Sequence, residues 1–209
     1  MRGFDADERE RIRGRLRETG RDLFARYGLD KTTIADLTDP AGIANGTFYR
    51  FYDSKEQLYF EILREEGERL AEDIIADSFE THDDPEAAIV AFLTLLCEEI
   101  ETNPLVRRLV VDDDLSRLMA QFSDEQLREE QAESLSYVVP YVEKWQAEGR
   151  LREDDPEVLA GVMGVVKFAA YHKDDFHSEE FYRAVRDALV ETIAAGLTRS
   201  SGTDPTSDN

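Results

Sequence analysis

The sequence predicts an all-α protein, and three observations predict it. Apolar residues recur three and four positions apart through most of the chain, the period of a helix with one buried face. Strict alternation over a strand length is absent, and no Asn-Gly turn stands between two apolar runs. Capping signatures open most of the apolar-periodic stretches: a Ser, Thr or Asp followed by Pro, or by an acid or amide three residues on. With 41% apolar residues in a chain of 209, a real core can be buried.

The elements follow in order. A first helix is expected from about Asp7 to Tyr27, with Ile12, Leu16, Leu23, Phe24 and Tyr27 on one face and Gly28 as its stop. Thr33 and Asp36 form a capping pattern for a short helix to about Thr38, after which Pro40 and Gly42 break the chain. Another short helix is expected from Asn45 to about Tyr52. Ser54 with Gln57 opens a long helix to Asp77, whose apolar face is Leu58, Tyr59, Ile62, Leu63, Leu70, Ile74 and Ile75. Asp84-Pro85 opens the next, to Thr102, and one or two shorter pieces lie between Pro104 and Gln121. Ser123 with Gln126 caps a helix reaching Gly149, kinked at Pro140. Asp155-Pro156 opens a helix to Tyr171, and Ser178 opens the last, to Thr198. The polar tail beyond it is expected to be disordered.

Charge is unevenly placed. The chain has 25 Lys+Arg against 47 Asp+Glu, net −22, yet residues 1–60 hold 11 of each and are neutral. The first sixty residues are therefore the stretch that a polyanion tolerates. Arginine outnumbers lysine 20 to 5. An acidic, lysine-poor chain points to the salt-rich cytoplasm of a halophile, where self-repulsion is screened. No 18-residue apolar run offers a membrane span, and the opening MRGFDADERERIRGR lacks the apolar stretch of a signal peptide. A cytoplasmic location is expected. A single cysteine, Cys97, excludes a disulfide framework and reads as a buried small hydrophobe.

The informative stretch is residues 32–55, TTIADLTDPAGIANGTFYRFYDSK. It reads as a short helix, a glycine-containing turn and a second short helix, which is helix-turn-helix spacing. Ile34, Leu37, Ile43 and Phe48 are placed to pack on the first helix. Between them the second helix presents Asn45, Gly46, Thr47 and Tyr49, small or hydrogen-bonding residues of the kind that meet base edges and phosphates. Lys55 adds a cation at the next helix N-terminus.

The run resembles the DNA-binding domain of the tetracycline-repressor (TetR) family of transcriptional regulators. The resemblance rests on Tyr27-Gly28, Thr32-Thr33, Ala41-Gly42-Ile43, Gly46-Thr47-Phe48-Tyr49, Tyr52 and Ser54-Lys55, and covers about 40 residues closely. It implies phosphate contacts from Thr33, Thr47, Tyr49 and Lys55, and base or groove contacts from Asn45, Gly46 and Arg50. Three positions depart from the pattern. Pro40 lies where helix two usually continues, so the turn is expected to open early; Phe51 replaces a common phosphate-contacting His or Tyr; Asn45 replaces a frequent Lys or Ser. The neutral head under an acidic body predicts binding by close hydrogen bonds and apolar contact more than by a broad cationic patch.

Elsewhere, Tyr137, Tyr141 and Trp145 recur at four-residue spacing beside Pro140. They read as a packed core face or as one wall of a ligand cavity, which Phe92, Phe168 and His172 would complete. Residues 158–166, VLAGVMGVV, are uncharged and apolar almost all round, and the last helix carries a stripe of Phe181, Val185, Leu189, Ile193 and Leu197. Val158, Gly161, Val162, Val165, Val185, Leu189 and Ile193 are the expected dimer contacts of a four-helix bundle, which the resemblance also implies. His82, His172 and His177 and the acidic pairs at helix ends read as solvated or capping groups, so no metal, cofactor or catalytic residue is expected.

The expected organisation is therefore a DNA-binding domain at 1–53, a helical effector-binding and dimerisation domain at 54–199, and a tail at 200–209. The expected function is a homodimeric regulator, read as a repressor, that leaves a near-palindromic operator when a small molecule binds its body. A DNA-binding factor without an effector is the second reading. An all-α carboxylate or metal enzyme is the third; it lacks a convergent nucleophile and base and leaves residues 32–55 without a purpose.

Overall fold

The computed structural model describes residues 5–111 and 123–198. Among the described residues the regular secondary structure is helical, joined by turns and short links, apart from one isolated bridge between Leu151 and Thr198. The expected tail at 200–209 and the end of the 104–121 segment lie outside them. The helices are α1 (Ala6–Lys31), α2 (Ile34–Ala41), α3 (Asn45–Phe48), α4 (Lys55–Asp77), α5 (Pro85–Thr102), α6 (Pro104–Val111), α7 (Asp124–Ser136), α8 (Val139–Ala147), α9 (Pro156–Gly164), α10 (Val166–Tyr171) and α11 (Glu179–Leu197). The described residues divide into two compact units, one within 1–69 and 102–127, the other within 70–101 and 128–209.

In the first unit, α1 breaks its helical path at Gly28, whose φ of 75° only glycine adopts without strain, and the Thr32 hydroxyl donates to the Gly28 carbonyl (2.8 Å). The buried row is Ile12, Leu16, Gly20, Phe24 and Gly28, a strict four-residue ridge. Tyr27, expected on this face, is half exposed because it stands one position off that ridge. At Gly20 the helix crosses α4 so closely that a Cβ would lie 2.8 Å from Ile62 Cδ1. Phe24 and Tyr59 pack with ring centroids 4.6 Å apart. Leu37, Phe48, Tyr52, Leu58 and Leu105 complete the core.

A buried carboxylate also binds this unit. Glu66 of α4, 3% exposed, accepts from Asn103 Nδ2 (2.7 Å) and Arg69 Nη2 (3.0 Å) on Oε1. Its Oε2 meets the Arg21 guanidinium as an ion pair without an aligned hydrogen bond. Burial alone would raise its pKa; the bonds from Arg69 and Asn103 and the charge of Arg21 outweigh that and hold it below the usual carboxylate range. Asn103 Oδ1 in turn accepts from the Leu105 amide (3.0 Å) and caps α6.

Several boundaries differ from expectation, each for a local reason. Helix α2 does not stop before Pro40 but runs to Ala41. Its end is set by Gly42 in the left-handed conformation, with the Gly42 amide donating to Asp39 O and the Ile43 amide to Thr38 O (3.1 and 3.2 Å). Helix α3 is shorter than expected. Past Phe48 the chain continues as tight turns, with Arg50 N donating to Thr47 O (3.0 Å) and Phe51 N to Phe48 O (2.9 Å). At Pro140 there is a full break, not a kink: α7 ends at Ser136 and Pro140 is the second residue of α8, where a missing N–H leaves no bond unmade. The expected helix to Tyr171 steps at Gly164–Val165, where Val165 N donates to Val162 O (3.2 Å).

The second unit is built on Ile89, Leu93, Cys97, Val142, Trp145, Met163, Val166, Tyr182 and Ala194. Cys97 is fully buried as expected, and burial pushes its thiol up to about 11. Tyr182 Oη donates to Glu101 Oε1 (2.8 Å), which also accepts from Arg186 Nη1 (3.1 Å), so the last helix is pinned to α5.

Candidate nucleic-acid interface

The helix-turn-helix is assembled from local caps. The Thr33 hydroxyl accepts from the Asp36 amide (3.3 Å), and the Asp36 carboxylate accepts from Thr33 N (2.9 Å), so α2 starts at a closed capping box. The Thr33 hydroxyl bond holds the Asp36 carboxyl below its ordinary pKa. At α4, Ser54 Oγ accepts from Gln57 N (3.1 Å) and Gln57 Oε1 from Asp53 N (2.7 Å).

Between these caps the turn is held by Thr38, which the sequence reading did not single out. Its hydroxyl lies 2.8 Å from Ile34 O and 2.6 Å from Asn45 Oδ1. One hydroxyl proton serves one acceptor; with the Asn45 amide turned over, Thr38 donates to Ile34 O and accepts from the Asn45 NH2, and both contacts are satisfied. The clue in the sequence was a threonine on the same face as Ile34 and Leu37, a polar group that needs a buried partner.

The predicted DNA-contact residues separate into two groups. Gly46, Tyr49 and Arg50 are exposed, Tyr49 at 60%, and Thr47 is half-buried beside them. A Cβ at Gly46 would meet no atom within 4 Å, so nothing inside the protein demands glycine there. Thr33 and Asn45, also exposed, and half-buried Lys55 have side-chain partners within the protein. Lys55 Nζ donates to Leu29 O (2.5 Å) and Thr32 O (3.0 Å), tying the start of α4 to the link between α1 and α2. Phe48, buried, packs its ring against Tyr49 and Tyr52 at 5.6 and 5.8 Å and fixes the angle of α3. Tyr52 Oη donates to Glu61 (3.0 Å) and accepts from Arg13 Nε (3.3 Å); burial is the main cause that raises its pKa.

The predicted effector residues also separate. Phe92, Tyr141 and Trp145 meet around Phe79, with centroids 4.8, 5.1 and 5.1 Å from its ring. Phe79, Tyr141 and Trp145, but not Phe92, line a half-open pocket of about 560 Å³ together with Glu80, Asp83, Lys144, Glu148 and Arg150. Tyr141 Oη donates to Glu80 Oε1 (3.0 Å) at the rim. Tyr137 is half-buried. Phe168 packs instead on Tyr171 (6.5 Å) and is 56% exposed, and His172 Nδ1 pairs with Asp175 (3.0 Å).

Of the predicted dimer residues, Val158, Gly161, Val162 and Val165 are exposed and Val185, Leu189 and Ile193 are half-buried. With Phe168 and Phe181 they leave α9 to α11 with several large apolar side chains open to solvent, Val165 at 51%. Among the described residues, no helix is long and apolar enough to cross a membrane.

Comparison with known proteins agrees with this geometry. Residues 16–62 match the family model of the bacterial regulatory proteins, tetR family. The HTH-type transcriptional repressor KstR2 of Rhodococcus jostii is 52% identical over 42 residues, 20% of this chain and 21% of that one. The chain thus spans about a fifth of the length of this curated relative. The HTH-type transcriptional regulator YhgD of Bacillus subtilis is 27% identical over 143 residues, 67% of this chain and 72% of that one. A TetR-family transcriptional regulator from Pectobacterium atrosepticum shares the fold with a TM-score of 0.76 at 21% identity, over 93% of this chain and 98% of that one. Over residues 16–62, the chain carries the amino-terminal helix-turn-helix domain of the tetR family of bacterial regulatory proteins.

Proposed function

We propose that this chain is a ligand-responsive transcriptional repressor that reads DNA with the surface of α3. The observation that carries the reading is Gly46: an exposed glycine with open space at its Cβ position, flanked by Thr47 and the outward ring of Tyr49. A missing side chain with no internal reason leaves room for a base edge or a phosphate from outside. Gly46, Thr47, Tyr49 and Arg50 are the contact residues; Asn45, Thr33 and Lys55 hold them in place.

In this reading the chain works as a homodimer in the cytoplasm. The open apolar face of Val158, Val162 and Val165 with Leu189 and Ile193 is the contact, and two heads enter successive major grooves of a near-palindromic site. The cavity over Phe79, Tyr141 and Trp145 receives a partly aromatic effector, with its polar end toward Lys144 and Arg150. Release follows from differential affinity: the effector favours a state whose heads do not match the operator. The acidic, lysine-poor composition fits a salt-rich cytoplasm, so unfolding in dilute buffer should reverse on adding KCl.

The test is selection of bound sequences from random duplex DNA in molar KCl, followed by release with a panel of aromatic small molecules. Two half-sites about one helical turn apart are expected. Gly46→Val should abolish enrichment while leaving the helical spectrum intact. No enrichment by the wild-type chain would refute the reading.

A further inference from the structure

The first half of helix α1 carries an arginine every four residues along one side, Arg9, Arg13 and Arg17, ahead of the Arg21 that pairs with Glu66. Two of the three are neutralised. Arg17 pairs with Glu65 (2.7 Å), Glu61 (3.4 Å) and Glu10 (3.0 Å). Arg13 pairs with Glu61 (3.0 Å) and donates to Tyr52 Oη (3.3 Å).

Arg9 is different. Its guanidinium lies over the Phe51 ring, 5.4 Å from the centroid, and its Nη2 reaches the Arg50 carbonyl through a long 3.5 Å bond. Among the described residues no carboxylate stands within ion-pair distance of it. The side chain is exposed. The rung of this ladder that keeps its charge is thus the one beside the turn that follows α3, at the Arg50 carbonyl and over Phe51, which lies two residues along the chain from exposed Tyr49.

The geometry points to Arg9 as a DNA-phosphate contact, seated on Phe51 at the carboxyl end of the reading helix. The inference rests on the DNA-binding reading above and extends it to a residue outside the helix-turn-helix. Phe51 has no group that can bond a phosphate; the guanidinium it carries has five N–H donors, of which one is engaged weakly. Stacking uses the face of the guanidinium, whereas hydrogen bonds to phosphate use its edge, so the two do not compete. The platform limits where the charge can move and so reduces the ordering cost of the contact. The contact also supplies a cation to a reading surface whose α3 residues, Asn45, Gly46, Thr47 and Phe48, carry none.

The simpler alternative is a staple that only holds the first turn of α1 against Phe51. It predicts a change in stability alone. The experiment compares wild type, Arg9→Gln and Arg9→Lys on the duplex that the wild-type chain enriches, measuring affinity across a series of KCl concentrations. Arg9→Gln should bind about tenfold more weakly at the lowest salt that keeps the fold. Its log–log salt slope should be about one unit shallower per protomer engaged. Arg9→Lys should keep the wild-type slope.

Methylphosphonate replacement of single phosphates supplies the direct readout. One neutralised phosphate per half-site should weaken wild type and leave Arg9→Gln indifferent. Equal slopes for wild type and Arg9→Gln, or equal sensitivity to every methylphosphonate, overturn the proposal even if Arg9→Gln melts lower. Failure of the wild-type chain to enrich any duplex overturns the DNA-binding reading, and this contact with it.

Discussion

Replacing Lys55 by Met separates an internal role from a DNA-contacting one. The ammonium of Lys55 donates to Leu29 O and Thr32 O (2.5 and 3.0 Å), and Leu29 is 2% exposed. The Leu29 carbonyl belongs to the last turn of α1, and Lys55 donates to it there. A hydrogen bond to a charged group contributes about 1.5–3 kcal/mol net, and two give roughly 3–6. Ordering the lysine side chain offsets about 1.5–2 kcal/mol of that. Lys55 is only half-buried, so water screens the charge and replaces part of the rest. The expected loss in Lys55→Met is about 2 kcal/mol. For a chain of 150–250 residues that lowers Tm by roughly 4–8 °C. Scanning calorimetry in molar KCl measures it, and the salt slope of DNA binding is recorded in parallel. The slope should stay at the wild-type value, because this charge is engaged within the head. An unchanged Tm together with a slope about one unit shallower would refute the argument, and would show that the ammonium leaves its carbonyls for a phosphate.

Four further outcomes are expected. Glu66→Gln should lose about 2–3 kcal/mol at pH 7, less than a fully buried pair because Arg21 and Arg69 are half exposed. The Glu66 pKa is lower folded than unfolded, so its contribution is complete above the ordinary carboxylate range and fades as pH falls through the folded value. In denaturant titrations the gap between wild type and Glu66→Gln should therefore close in acid. Gly20→Ala gains up to about 1 kcal/mol of helix propensity but crowds Ile62 Cδ1, and should be neutral or destabilising by up to 2 kcal/mol. In an Ile62→Val background the same change should stabilise, and a cycle additive within about 0.4 kcal/mol would remove the crossing argument. The Cys97 thiol, buried and raised to about 11, should not react with disulfide reagents at pH 8 until denaturant is added. Val165→Asp should shift the sedimentation coefficient to that of a monomer without changing the helical spectrum; a persistent dimer would place the interface elsewhere.

How much of this could be read beforehand depended on the range of the interaction. Helix starts were readable because a cap is a three-residue event: Thr33 with Asp36, Ser54 with Gln57, Asp155 before Pro156 and Ser178 each behave as their spacing predicts. The prolines were harder, since their effect depends on where the surrounding helix begins and ends. Pro40 is tolerated because Gly42 closes α2 two residues later. Pro140 looked like the interior of a long helix only until α7 ended at Ser136.

Side-chain roles within the head were the least readable. Lys55 and the carbonyl of Leu29 are 26 residues apart, and Arg108 reaches the Arg26 carbonyl (2.6 Å) from 82 residues away. In sequence, Arg9, Arg13 and Arg17 are the same residue at the same spacing. Only the placement of Glu61 and Glu65 on α4 makes two of them internal and leaves the third with its charge. The net count of zero over the first sixty residues hides this sorting. A head can be neutral in sum and still direct a cation toward DNA, provided its carboxylates are turned inward onto other arginines. In the proposed contact Arg9 would meet a phosphate directly, and a charge-assisted hydrogen bond at contact is weakened less by salt than attraction between separated charges.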